Sequence, residues 1–116
     1  MTASSYERRR LILALDAYLR SQYEARTAAR VSELADRLGV SREHISRLYR
    51  FATGESLRRL MRGRQVERAE RLLRETRYSV AEIAARCAFG TPMTLRRAFA
   101  ALRGMTPDEY RQKITK

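Results

Sequence analysis

The sequence holds one cysteine, Cys87, and one histidine, His44. A lone thiol excludes an internal disulfide, and one residue of each type cannot build a Cys/His zinc cluster. No metal and no cofactor are therefore expected. Proline occurs only at Pro92 and Pro107, glycine five times and tryptophan not at all. No run of alternating β-branched residues appears, so strands are not expected. No apolar segment reaches the roughly 18 residues that a membrane span needs, and the N-terminus lacks the apolar stretch of a signal peptide. The expected location is the cytoplasm. Paired catalytic carboxylates, a nucleophile–base pair and a glycine-rich phosphate loop are all missing, so the chain is not expected to be an enzyme.

Acidic residues are also scarce. Thirteen Asp and Glu face 25 Lys and Arg, for a net charge of +12. Only Lys113 and Lys116 are lysines; the other 23 cations are arginines. Such a balance favours a polyanionic partner but says nothing about sequence specificity. Hydrophobic residues make up 44% of the 116 and run along the whole chain. That suits one domain, or two very small subdomains sharing a helix.

Helical periodicity dominates what is there, and it predicts an all-α fold of seven helices. The first is expected from about Tyr6 to Tyr23, with Ser4 and Glu7 as a capping box and Leu11, Leu15, Tyr18 and Leu19 as its buried stripe. A second covers Val31 to Leu38 and stops at Gly39. A third follows the cap Ser41 and runs to about Ala52, with Ile45 and Leu48 facing inward and Gly54 as its stop. A long fourth spans Ser56 to Glu75, burying Leu57, Leu60, Met61, Val66, Ala69, Leu72 and Leu73. A capping box, Ser79 with Glu82, opens the fifth. Thr91 and Pro92 open the sixth, which turns Leu95, Phe99 and Leu102 inward. Thr106, Pro107 and Glu109 open the seventh.

One stretch repeats at an offset of 49 residues. Val31, Glu33, Ala35 and Arg37 recur as Val80, Glu82, Ala84 and Arg86. Leu34 and Val40 recur in character as Ile83 and Phe89. Each copy is a short amphipathic helix, a tight turn and a second amphipathic helix with a basic outer face. That pattern is what a helix-turn-helix requires: a small residue where the helices approach, a corner residue, and a polar second helix left free. Gly39 allows positive φ in the first turn. Ala88 stands in the matching place of the second. If that turn needs positive φ, alanine costs about 1 kcal/mol relative to glycine; otherwise the turn has another shape.

These residues resemble the AraC/XylS family of bacterial regulators. The resemblance is carried by Ala69-Glu70-Arg71-Leu72-Leu73-Arg74-Glu75-Thr76, then Ser79 to Ala84, Phe89-Gly90, Arg97-Ala98-Phe99 and Gly104 to Arg111. It implies a homeodomain-like arrangement with a first subdomain at 6–54, a linker helix at 55–76 and a second subdomain at 77–116. The linker is expected to hold the subdomains apart, with the third and sixth helices entering successive major grooves. By position, the base-reading places are Glu43, Ser46 and Arg47 in the third helix and Pro92, Met93, Arg96 and Arg97 in the sixth. Ser41, Arg42, Arg50, Arg77, Ser79, Thr91 and Arg111 are candidate phosphate contacts. Gln65 stands where the family usually has a basic residue, and Thr94-Leu95 where it often has an aromatic pair.

The resulting expectation is sequence-specific binding of double-stranded DNA and regulation of transcription at bacterial promoters, with RNA polymerase as a further partner. The alternative is a non-specific or architectural nucleic-acid binder. As this chain the protein is expected to be a monomer; within a longer protein, a dimer is possible. No membrane partner is expected, because the apolar faces are better used as a shared core. Tyr110 is expected to pack the last helix, Cys87 to be a buried inert thiol, and His44 to be partly buried.

Overall fold

The computed structural model describes residues 4–115; Lys116, the expected last residue of the second subdomain, lies outside them. Among the described residues the fold is all-α, in seven helices: α1 Ser5–Ala25, α2 Val31–Arg37, α3 Arg42–Thr53, α4 Leu57–Glu75, α5 Val80–Arg86, α6 Pro92–Arg103 and α7 Pro107–Ile114.

Local chemistry sets most of the starts. Ser4, Ser41, Ser56, Ser79, Thr91 and Thr106 each accept from the backbone N–H three residues on, which satisfies one of the amides that a helix start leaves unpaired. Among the described residues the reciprocal half of a capping box forms only in α7, where Glu109 accepts from the Thr106 N–H at 2.8 Å. At α5 the expected box is replaced: the Glu82 carboxylate pairs with Arg86 one turn later, at 3.0 Å. At α1, Ser4 caps, and no return bond from Glu7 accompanies it.

Two cores form on the two halves of α4. The first gathers Leu11, Leu15, Tyr18, Leu19, Leu34, Ala35, Ile45, Tyr49, Leu57 and Met61. The second gathers Val66, Ala69, Leu73, Val80, Ile83, Ala84, Cys87, Phe89, Leu95 and Phe99. Tyr49, not Leu48, is the fully buried partner of Ile45 in α3; Leu48 is half-buried, as are Leu60 and Leu72. The Tyr49 hydroxyl donates to the Leu11 carbonyl at 2.7 Å, so its polar end is satisfied inside. Tyr110 packs edge-on against Phe99 at 5.5 Å between centroids. Cys87 is fully buried, and burial pushes its thiol up to about 12, which makes it inert. His44 is exposed rather than partly buried.

The subdomains are not simply held apart by α4. The turn between α5 and α6 lies against the connector between α1 and α2. Ala88 adopts φ 61°, so the second turn does use the left-handed region despite lacking glycine. Its side chain belongs to the first core, although Phe89 beside it belongs to the second. The strain of about 1 kcal/mol is offset in part by burying that methyl group.

Gly63 sits in α4 between Met61 of the first core and Val66 of the second. A Cβ placed there would meet nothing within 4 Å. Glycine inside a helix costs about 1 kcal/mol relative to alanine. Gly63→Ala is therefore expected to raise stability by about 0.5–1 kcal/mol and the melting temperature by a few degrees. A thermal melt that moved downward would mean that this position must bend.

Candidate nucleic-acid interface

Both second helices present a polar outer face on a buried inner one. In α3, Ile45 and Tyr49 are buried, while Arg42, Glu43, Ser46, Arg47 and Arg50 are exposed. In α6, Leu95 and Phe99 are buried, Met93 and Arg97 are exposed, and Pro92 and Arg96 are half-exposed. The expected reading positions of each helix therefore share one solvent-facing side. Two of them already have intramolecular partners. The Ser46 hydroxyl donates to the Arg42 carbonyl at 3.0 Å, and Arg96 pairs with Asp108 at 3.5 Å. The second pair is solvent-exposed and so weak that a ligand could replace it. Arg47 and Arg97 form no ion pair among the described residues.

The candidate phosphate positions divide. Arg42, Arg50 and Arg77 are exposed. The hydroxyls of Ser41, Ser79 and Thr91 are engaged as caps of their own helices. Arg111 is directed inward. Its guanidinium donates to the carbonyls of Leu73 at 3.4 Å, Tyr78 at 2.5 Å and Thr76 at 3.3 Å. It thereby closes the C-terminal end of α4 onto α7, where cations also suit the helix dipole. An arginine so occupied has few donors left for a phosphate.

Sequence reasoning missed a group of arginines that the fold assembles between α3 and α6. Arg30, Arg42, Arg58 and Arg62 line a cleft of about 240 Å³ together with Ser32 and Met61. Arg58 and Arg62 also line the adjoining cleft together with Arg59, and its α6 wall includes Thr94 and Arg97. An arginine zone thus runs from the start of α3, across the first turns of α4, to the outer face of α6. None of these six arginines forms an ion pair among the described residues. Burial, and then the Arg58 charge beside it, hold the Arg62 guanidinium below the usual arginine value. Like charges gathered without counter-charges gain most from an anion entering between them. The one sequence signal was the Arg58-Arg59 and Arg62 spacing on one helix side, which reads equally well as an ordinary solvated face.

A family model described as a helix-turn-helix domain matches residues 34–113. The chain belongs to the AraC family of helix-turn-helix DNA-binding transcription regulators. This AraC-type domain is 42% identical over 85 residues to the HTH-type transcriptional regulator Rv1931c of Mycobacterium tuberculosis, a stretch that covers 73% of the chain and 33% of that protein. It is 27% identical over 96 residues to the Msm operon regulatory protein of Streptococcus mutans, covering 83% of the chain and 34% of that protein. The chain thus spans about a third of the length of these relatives. Among solved structures, it superposes on the DNA-binding domain of the global transcriptional factor AdpA, in complex with a target DNA. The TM-score is 0.76 at 32% identity, over 89% of this chain and 90% of that one. The C-terminal domain of AraT, a response regulator from Geobacillus stearothermophilus, gives a TM-score of 0.75 at 27% identity, over 95% of this chain and 86% of that one.

Proposed function

We propose that this AraC-family chain binds specific double-stranded sites at bacterial promoters in the cytoplasm and regulates transcription there, with α3 and α6 in successive major grooves. The observation that carries the reading is the unpaired arginine zone lying between two helices that each turn a polar face outward. The body extends 50 Å along its longest axis. That is enough to span one turn of DNA, about 34 Å, so one molecule can do what a dimer of single units does elsewhere.

In this reading Arg47 and Arg97 each clamp a guanine edge, Glu43 accepts from a cytosine amino group, and Ser46 and Arg96 add polar contacts. Pro92 and Met93 offer apolar contact to a thymine methyl. Arg42, Arg50 and Arg77 bind phosphates, joined by Arg30, Arg58, Arg59 and Arg62 in the central clefts. The backbone amides at the starts of α3 and α6, behind Ser41 and Thr91, face the same backbone. Ser79 and Arg111 serve the fold instead, as the cap of α5 and the clasp of α4. RNA polymerase is the proposed protein partner.

Selection of bound duplexes from a random pool, followed by footprinting, tests the proposal. The expected result is a protected site of about two turns on one face, preferred by roughly 10³ or more over random DNA. Equal affinity for every duplex at moderate salt overturns it and leaves an architectural binder. The central clefts have their own measurement. Arg58→Ala with Arg62→Ala is expected to weaken all duplexes alike and to lower the salt slope of log K by about 2, from about −0.9 per phosphate. An unchanged slope removes both arginines from the interface.

A further inference from the structure

The two helix-turn-helix units also touch away from α4, where the turn between α5 and α6 lies against the connector between α1 and α2. Three groups meet at that contact. The Gln65 side chain, fully buried in the middle of α4, donates its amide to the Cys87 carbonyl at 3.0 Å and the Ala88 carbonyl at 2.8 Å. Its other end accepts from Arg62 at 3.2 Å. The Ala88 carbonyl accepts a second bond, from the Ala29 N–H of the α1–α2 connector at 2.9 Å. Beside it, Gly90 comes so near Ala28 that an added Cβ would lie 3.1 Å from the Ala28 Cβ. Two arginines of α4 flank the contact: Arg62 over the Phe89 ring at 5.5 Å, and Arg68 over the Tyr23 ring at 4.4 Å while donating to the Arg86 carbonyl at 3.3 Å.

Each unit packs on its own half of the 19-residue α4, and Gly63, a residue that weakens a helix interior, lies between the halves. A brace away from the helix axis fixes how the two units face each other. The contact through Gln65, Ala88 and Ala29 is such a brace, and it joins the turn that starts α6 to the connector that starts α2.

We propose that the Gln65–Ala88–Ala29 contact is a spacing gauge: it fixes α6 relative to α3 and so sets how many base pairs this chain accepts between its two half-sites. The inference rests on the reading in which both helices enter DNA. It makes Gln65, Ala28 and Ala29 positioning residues that select DNA without touching it. Each base pair added between half-sites moves the second by about 3.4 Å and turns it by about 35°. A braced pair of helices cannot follow such a change; a pair free to pivot can absorb part of it.

The test uses the full chain and the duplex that it selects from a random pool, re-made with one base pair inserted or removed between the half-sites. The variants are Gln65→Leu, which takes away the donor, and Ala28→Leu, which wedges the contact open from outside both cores and decides the matter if Gln65→Leu fails to fold. The parent is expected to lose at least about 10-fold in affinity on either spacing change, and the variants less than about 3-fold. In parallel, spin labels at Asp36→Cys and Ala100→Cys, both exposed, report the distance from α2 to α6 in the free protein; the buried thiol of Cys87 does not compete for label. A single narrow distance in the parent that broadens in both variants supports the gauge. Folded variants that keep the parental distance, or the parental spacing penalty, overturn it. A selected motif with only one half-site overturns the two-groove reading beneath it, which distinguishes that failure from failure of the gauge.

Discussion

Replacing Arg47 and Arg97 together by alanine is expected to lower affinity for the selected site by about 30- to 10⁴-fold and leave the fold unchanged. Each arginine is worth roughly 1–3 kcal/mol against a wrong base when it clamps a guanine. The two sit on different helices, α3 and α6, and share no bonded partner, so the losses are expected to add. Both are exposed and neither has a carboxylate partner among the described residues. Truncation therefore strands no buried charge and moves stability by less than about 0.5 kcal/mol. Singly, Arg47→Ala relaxes preference at one or two base pairs of one half-site, and Arg97→Ala does so in the other. Binding measured against a panel of single-base-pair variants separates the roles. An equal loss on every duplex would reassign the residue to a phosphate, and Arg97, which also borders the arginine clefts, is where that outcome would be most informative.

Above pH 10 the protein is expected to unfold as base is added. Burial, and then the bond to Glu33, push the Tyr18 phenol up to about 12; burial, and then Asp16, push Tyr49 to about 12. The Cys87 thiol reaches about 12 by burial. In each case the unfolded chain gives up its proton first. The stabilising contribution is complete below the unfolded values, near 9 to 10, and is lost as pH climbs to the folded value. A shift of two units, as for each tyrosine, is worth roughly 2–3 kcal/mol, and the larger shift of the thiol somewhat more, so the three groups together rival the 5–15 kcal/mol that holds a typical domain. Chemical denaturation at a series of pH values reads the slope. Tyr49→Phe is expected to cost about 1 kcal/mol at neutral pH, from the lost bond to the Leu11 carbonyl, yet to flatten the alkaline fall by one group. A stability that held constant to pH 12 would contradict the assignment of these groups.

The positions of the helices were legible because their causes are short-range. A capping hydroxyl and the amide it accepts are three residues apart, and the periodicity of Leu11, Leu15 and Leu19 is itself the contact surface of α1. The repeat of Val31-Ser32-Glu33-Leu34-Ala35 as Val80-Ala81-Glu82-Ile83-Ala84 revealed two like units for the same reason: each packs mainly on itself. Side-chain destinations were less legible. Glu82 has an amide and an arginine within equal reach along the helix, and it takes the arginine. Arg111 reads as one more surface cation until α7 folds back over the end of α4, more than 30 residues away.

The residues of this chain, taken alone, determined an all-helical protein with two helix-turn-helix units, a strong positive charge and a polar outer face on α3 and α6. Those properties depend on residue type and spacing within about four positions, where the backbone geometry is already known. Only the tertiary structure decided that Arg30, Arg58, Arg59 and Arg62 join Arg42 and Arg97 in one zone, and that Ala88 takes a left-handed turn to reach the first core. It also turned Gln65 from an odd polar residue on a long helix into a donor to the Ala88 carbonyl, the same oxygen through which the Ala29 N–H ties the two units together. Each of these depends on which helix lies beside which, and no spacing along the chain encodes that until the two cores have formed.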